Sequence, residues 1–348
     1  MPGTEIVRTE ELTRVFRRAV KPPGLAGAAR HLFRPRYETV TAVDRISLRV
    51  EPGESVAYVG PNGAGKSTTI KLLTGILVPS SGTVSVCGLR PHADRQRNAR
   101  NISVVFGQRT QLWWDIPVAE SLRLLGDIYQ VPEADFRATM ADLVDVLDLG
   151  PLLTVPARQL SLGQRMRCDL GAALVHRPEV LFLDEPTIGL DVAVKARLRE
   201  FIRLMQDRHG LTVLLTSHDL GDIEELCRRM IMIDKGRIVY DGPYNEITAR
   251  FGWEKKIAVT LSEEVPDAEV RIGAALDRVG AAVSSPDPGT YEVTFDGRRA
   301  TPGEVIRELT GAVPVNDLAI EETSAETIIR RLYEGELTFD ADEPPRAS

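Results

Sequence analysis

Eight consecutive residues, Gly60-Pro61-Asn62-Gly63-Ala64-Gly65-Lys66-Ser67, match the pattern GxxxxGK[ST] without a gap. Glycines at those places let successive backbone N–H groups turn inward around a phosphate, and a helix N-terminus behind them adds its dipole. The lysine ammonium would reach the β- and γ-phosphates, and the Ser67 hydroxyl would ligate Mg²⁺, with Thr68 beside it in the helix's first turn. The pattern carries weight only between a strand and a helix. Here the apolar run Ser55–Val59 precedes it, and the helical run Thr68–Leu73 follows and stops at Gly75. These residues predict a nucleoside-triphosphate site rather than a Gly-rich turn that binds nothing.

A second constellation stands downstream. Val180-Leu181-Phe182-Leu183-Asp184-Glu185 is an apolar strand that delivers two carboxylates at its C-terminal end. Ligands of parallel α/β sheets sit at that edge. Asp184 is placed to hold Mg²⁺, directly or through water, and Glu185 to orient and deprotonate an attacking water. Two solvated acids ending a buried strand would be the plain alternative, and the phosphate loop upstream argues against it.

The elements that must position these groups alternate between strand and helix. Glu5–Phe16 and Ile46–Val50 read as strands, then Gly82–Val86 and Ile102–Phe106 after the loop helix. A helical block from about Pro117 to His176 carries apolar residues at three- and four-residue intervals within Val118–Tyr129 and Glu133–Leu147. Strands return at Val180–Leu183 and Leu211–Leu215 around a helix at Val194–Arg208. A hairpin, Met230–Asp234 and Arg237–Tyr240, turns at Lys235-Gly236. The prediction is an α/β core with a largely parallel sheet and an inserted helical block.

From about Phe251 the pattern changes. Ile257, Val259 and Leu261 alternate, Ile272, Leu276 and Val279 have helix spacing, and Tyr291, Val293 and Phe295 alternate again. Thr301-Pro302-Gly303-Glu304 combines an N-cap, a proline at the first helical position and a capping-box glutamate. Leu318 and Ile320 suggest a last strand, and Ser324 would cap a final helix through Tyr333. Residues 251–337 therefore form a small α+β accessory domain without a catalytic constellation, and the acidic tail 338–348 is expected to be disordered.

With 348 residues the chain holds about two domains. No apolar run reaches the roughly 18 residues of a bilayer span, and the N-terminus predicts no signal peptide. Cys87, Cys168 and Cys227 lie far apart and read as reduced thiols of a cytosolic protein. A net charge of −7 argues against nucleic acid as a partner, so any membrane role must come through another protein. One segment departs from the acidic balance. Arg14, Arg17, Arg18, Lys21, Arg30, Arg34 and Arg36 occur from Leu12 to Tyr37 without an acid, and Pro22-Pro23-Gly24 interrupts them. A solvated loop is the plain reading; contact with an anionic leaflet or a membrane partner is the functional one.

Leu160-Ser161-Leu162-Gly163-Gln164-Arg165, at the start of the helical pattern Met166–Val175, makes a resemblance specific. The chain resembles the nucleotide-binding subunits of ATP-binding-cassette (ABC) transporters, whose signature is LSGGQ; Leu162 stands where the family has glycine. The resemblance runs from about residue 5 to 245 and implies an ABC ATPase domain over 1–250. That domain has an antiparallel N-terminal β-subdomain, a helical subdomain at about 107–177 and an insertion at about 17–36. It implies that Ser161, Gly163 and Gln164 face the ATP of an opposite subunit in a head-to-tail dimer. Gln108 resembles the glutamine that touches Mg²⁺ and the attacking water, Asp191 within Gly189-Leu190-Asp191 the D-loop, and His218 the switch histidine at the γ-phosphate. Tyr37, 29 residues before Lys66 and just ahead of Ala42-Val43-Asp44, resembles the aromatic that stacks on adenine; Phe16 lies too far back.

The tract Phe106–Asp115, the Leu162 signature and the appended domain are similar to the subfamily paired with ABC-2-type permeases, mostly exporters. The resemblance implies ATP and Mg²⁺ as cofactors and a second ATPase subunit, self or paralogue, as partner. It also implies integral membrane permease subunits, and a peripheral location on the cytoplasmic face of the cell membrane. Trp113 and Trp114 fall where such a permease would dock. The competing function is a soluble cassette ATPase acting on a ribosome, DNA or an assembly scaffold. One phosphate loop, and no coiled coil between Lys66 and Asp184, speak against its best-known forms.

Overall fold

The computed structural model describes residues 5–20, 36–107, 109–217, 219–287, 289–322, 325–334 and 336–337. Gln108, His218, residues 21–35 of the basic segment, Ser324 and the tail 338–348 lie outside the described residues. The described residues divide at Gly242/Pro243 into two units.

The first unit opens with β1 (Val7–Val20) and β2 (Arg36–Val50), paired antiparallel from Val7 opposite Val50 to Val20 opposite Arg36. Next come β3 (Ser55–Val59), α1 (Lys66–Leu73) and β4 (Ser81–Val86), which joins β1 to complete a three-stranded antiparallel sheet. After α2 (Arg95–Asn101) and β5 (Ile102–Phe106) the chain leaves for α3 (Val118–Ile128), α4 (Glu133–Val146) and α5 (Leu162–Leu174). It returns through β6 (Val180–Asp184), α6 (Val192–His209), β7 (Thr212–Thr216), α7 (Leu220–Leu226) and the hairpin β8 (Arg229–Asp234) and β9 (Arg237–Pro243). The second sheet has the order β5-β6-β7-β3-β8-β9 and is parallel from β5 to β8.

Its central strands are apolar on both faces, as a covered parallel sheet requires. Val180, Leu181, Phe182 and Leu183 are fully buried, and Tyr58, Val213 and Leu215 likewise. Each such large side chain contributes roughly 1.5–3 kcal/mol relative to exposure. One apolar cluster joins this sheet to α1 (Ile70, Leu72, Leu73) and to the antiparallel sheet (Leu12, Val43, Ile46, Leu48), which fixes the phosphate loop between two layers.

β1 extends past Phe16, the end read from sequence. Its pairing with β4 stops at Thr13 opposite Ser81, but β2 continues to supply a ladder as far as Val20. Both strands therefore run into the basic segment. α2 and α7, at seven residues each, are too short for an apolar period to show. α6 is longer than its apolar pattern because Asp191 caps its start, accepting from the Val194 N–H at 2.9 Å, and Gly210 ends it in the left-handed conformation.

The second unit begins with α8 (Tyr244–Phe251). It continues with β10 (Glu254–Leu261), α9 (Ala268–Leu276), β11 (Ala282–Asp287), β12 (Thr290–Asp296), α10 (Pro302–Ala312), β13 (Val315–Glu322) and α11 (Ala325–Glu334). The order β11-β12-β10-β13 with every pair antiparallel is the split βαβ arrangement of ferredoxin-like domains. Alternate strand residues Ile257, Val259, Val293 and Phe295 pack with Ile272, Leu276, Val305 and Leu309 of the helices. The Thr301 capping box forms as expected: Thr301 accepts from the Glu304 N–H, and the Glu304 carboxylate accepts from the Thr301 N–H at 2.8 Å. β11 escapes a sequence reading because Ser284, Ser285 and Pro286 hide its single inward residue, Val283.

Candidate active site at the carboxyl edge of the parallel sheet

The loop after β3 wraps the first turn of α1 and walls a cleft of about 560 Å³. Pro61, Asn62, Gly63, Gly65, Lys66, Ser67 and Thr68 line one side; Asp184 and Glu185, from the end of β6, line the other. Ala42 of β2, Phe106, Gly107, Arg109 and Ile188 complete the wall. Gly65 is obligatory here. Its φ is +112°, and a side chain would overlap the Ala42 carbonyl oxygen.

Lys66 is 8% exposed and folds over its own loop, donating to the carbonyl oxygens of Gly60 at 2.5 Å and Pro61 at 3.3 Å. Burial lowers its pKa, and the charges of Glu185 and Asp184 oppose that shift. A cation held this way is available to a polyanion in the cleft. Ala64 is buried beneath the loop and accepts from the Gly236 N–H at 2.9 Å, so the β8–β9 turn braces the loop from below.

The opposite wall is held by Thr216 at the end of β7. Its hydroxyl donates to Asp184 Oδ1 at 2.7 Å and accepts from the Glu185 N–H at 3.2 Å. Glu185 takes a φ of +55°, rare for a residue with a side chain and a form of stored strain. Gly107 makes that turn feasible, because a Cβ there would overlap the Glu185 carbonyl oxygen. Hydroxyl and carboxylate oxygens from Ser67 and Asp184 in one cleft are the hard donor set that Mg²⁺ takes, alongside phosphate oxygens.

Among the described residues, Ser161, Gly163, Gln164, Asp191 and Tyr37 lie elsewhere. Ser161 caps α5, accepting from the Gln164 N–H at 3.2 Å, while the Gln164 side chain accepts from the Ser161 N–H at 2.9 Å. Ser161, Gly163 and Gln164 do not line the cleft, and neither does Asp191, which caps α6. Gly163 abuts Val194 of α6, so the starts of the two helices are neighbours. Tyr37 is 61% exposed on β2, the strand that touches the loop at Ala42, and does not line the cleft. Gln108, next in sequence to the cleft-lining Gly107 and Arg109, and His218, next in sequence to Ser217, lie outside the described residues. Trp113 and Trp114 are 41% and 51% exposed. The three cysteine thiols are pushed up to about 12 by burial, which leaves them inert.

Sequence reasoning missed Thr216 and Asp169. Thr216 has no sequence signal beyond ending an apolar strand. Asp169 had one: a carboxylate amid Met166, Leu170 and Ala173, on the apolar face of α5.

A phosphate loop between a parallel strand and a helix, facing two carboxylates on the next-but-one strand, defines a nucleoside-triphosphate-hydrolysing α/β domain. A family model described as "ABC transporter" matches residues 43–188. The Nod factor export ATP-binding protein I of Ralstonia nicotianae is 34% identical over 253 residues, 72% of this chain and 77% of that one. Its namesake in Burkholderia pseudomallei is 34% identical over 288 residues, 79% and 94% of the two chains. The linearmycin resistance ATP-binding protein LnrL of Bacillus subtilis is 31% identical over 226 residues, 65% and 72%. The solved structure of cbiO1 from Clostridium perfringens, part of the ABC transporter complex cbiONQ, superposes with a TM-score of 0.57 at 26% identity. That superposition covers 70% of this chain and 91% of that one. The chain belongs to the ATP-binding subunits of ABC transporters and is an ATPase.

Proposed function

We propose that two copies of this chain, or this chain and a paralogue, close head to tail on two ATP molecules and so drive an ABC-2-type membrane permease that exports its substrate. One observation carries the two-site reading. The α5 N-terminus, with an exposed Ser161 and the Leu162 and Gly163 N–H groups that its capping box leaves over, is suited to a γ-phosphate yet does not line the cleft of its own chain. A second chain's cleft would supply that phosphate.

Within each cleft the loop N–H groups and Lys66 hold the phosphates, and Tyr37 stacks on the adenine from the strand that meets the loop at Ala42. Ser67, Asp184 and Gln108 would hold Mg²⁺, which would neutralise phosphate charge when bound. Glu185 takes a proton from the attacking water, and His218 steadies the γ-phosphate. Asp191 lies beside the signature helix and couples the two sites. Export follows the names of the relatives, a Nod factor exporter and a linearmycin resistance protein. Among the described residues no helix is long and apolar enough to cross a membrane, so the chain would be held at the cytoplasmic face by its permease. The exposed Trp113 and Trp114 form part of that contact.

Gentle solubilisation of native membranes and mass spectrometry of what copurifies with the tagged chain tests this. A polytopic membrane protein in stoichiometric amount is expected. Ribosomal or DNA-associated partners in its place would overturn the transport reading and leave the ATPase standing.

A further inference from the structure

Asp169 lies in the second turn of α5, only 4% exposed, with its carboxylate turned away from solvent. A buried carboxylate needs partners, and it finds them on one short segment. Asp169 Oδ1 accepts from the Thr110 hydroxyl at 2.8 Å and from the Gln111 N–H at 2.8 Å. Burial raises its pKa, and these hydrogen bonds together with the charge of Arg165 oppose the shift.

The segment so gripped is tied down on its other sides too. Gln111 donates through Nε2 to the Val104 carbonyl of β5 at 2.9 Å, and the Trp113 N–H donates to Ser121 Oγ of α3 at 3.2 Å. Trp114 accepts through its carbonyl from the Arg158 N–H at 3.1 Å, and the Arg165 guanidinium lies 5.9 Å from its ring centroid. Residues 109–114 thus link the cleft, which Arg109 lines, to the helix that begins at Ser161. Of these links, only Asp169 fixes the segment to the signature helix by hydrogen bonds of a charged group, the strong kind in a dry interior.

We propose that Asp169 is a positioning residue that locks the segment after Gln108 to the signature helix, so that ATP in a chain's own cleft sets the helix that chain offers to its partner's ATP. The inference rests on the two-site reading above and adds the connection between the sites. A rigid link of this kind passes a shift of the 109–114 segment on to α5 without loss. If the link is cut, each cleft still binds ATP but no longer informs the other. The Trp113–Trp114 surface moves with the same lock, since Trp114 is held by residues on both sides of Ser161.

The test is steady-state ATP hydrolysis by the full chain in its assembled form, measured against ATP concentration. The forms compared are the wild type, Asp169→Ala, Asp169→Asn, Thr110→Val and the Asp169→Ala/Thr110→Val double variant. Loss of hydrogen bonds to a buried charge predicts turnover about tenfold lower for Asp169→Ala. Its half-saturating ATP should shift less than about twofold, as expected for a group that does not touch ATP. Its Hill coefficient should fall from above 1 towards about 1. Asn keeps an acceptor oxygen at the same place, so Asp169→Asn should fold and recover most of the cooperativity that Asp169→Ala loses. The double variant should be no worse than Asp169→Ala, because both cut the same link. A wild-type Hill coefficient in Asp169→Ala and Thr110→Val, or fully additive losses in the double variant, would overturn the lock and leave the two-site reading intact. A Hill coefficient of about 1 in the wild type would overturn both.

Discussion

In the C-terminal unit, polar side chains go to ends and surfaces. Thr301 and Glu304 cap α10, and Arg298 holds Asp296 down to about 2 by a hydrogen bond at the edge of β12. Among the described residues of this unit no charged, amide or hydroxyl-bearing Ser/Thr side chain is buried. In the ATP-binding unit the polar groups go inside: Lys66 at 8% exposure, Asp169 at 4% and Thr216 at 0%. Left-handed backbone does not follow that division: Glu185 at φ +55° borders the cleft, and Asp267 of the C-terminal unit takes the same φ of +55° at the start of α9. A buried cation and a buried anion cost stability, and a fold retains such features where chemistry requires them.

Substitutions that trade stability against activity in opposite senses sharpen this contrast. Lys66→Met keeps the length of the side chain and removes its charge from a nearly buried position. Turnover should fall by roughly 10²–10³, the scale for losing one preorganised electrostatic contact to developing charge. The melting temperature should stay level or rise, because an ammonium no longer has to be desolvated. Calorimetry beside an ATPase assay checks both halves, and a large loss of stability would show that Lys66 is structural. Ile272→Ala should do the reverse. It empties part of the C-terminal core, which costs about 2–5 kcal/mol in denaturant titration, while ATP turnover per folded molecule stays near that of the wild type. Turnover that falls in step would show that the two units are not independent in function.

Much of the ATPase was legible in the sequence because its chemistry is local. Gly60–Ser67 and Val180–Glu185 are contiguous runs whose meaning depends on flanking strand and helix, and both flanks are as read. What the sequence hid was long-range. Thr216 serves Asp184 from a strand more than thirty residues away, and no spacing rule links the two. Asp169 stands 59 positions from the threonine it binds. The extension of β1 to Val20 depended on a partner strand beyond an interrupted basic segment, and β11 on β12. Short helices such as α2 and α7 lacked the length for a period to emerge.

The central claim is that the carboxyl edge of the parallel sheet hydrolyses ATP with Glu185 as the base. Glu185→Gln keeps the shape of the side chain and removes its ability to take a proton. ATP binding and single-turnover hydrolysis, measured side by side on wild type and variant, test the claim most directly. The account predicts ATP bound as tightly as in the wild type, with hydrolysis slower by roughly 10²–10⁴. Hydrolysis at the wild-type rate in Glu185→Gln would contradict it and assign the proton transfer to another group.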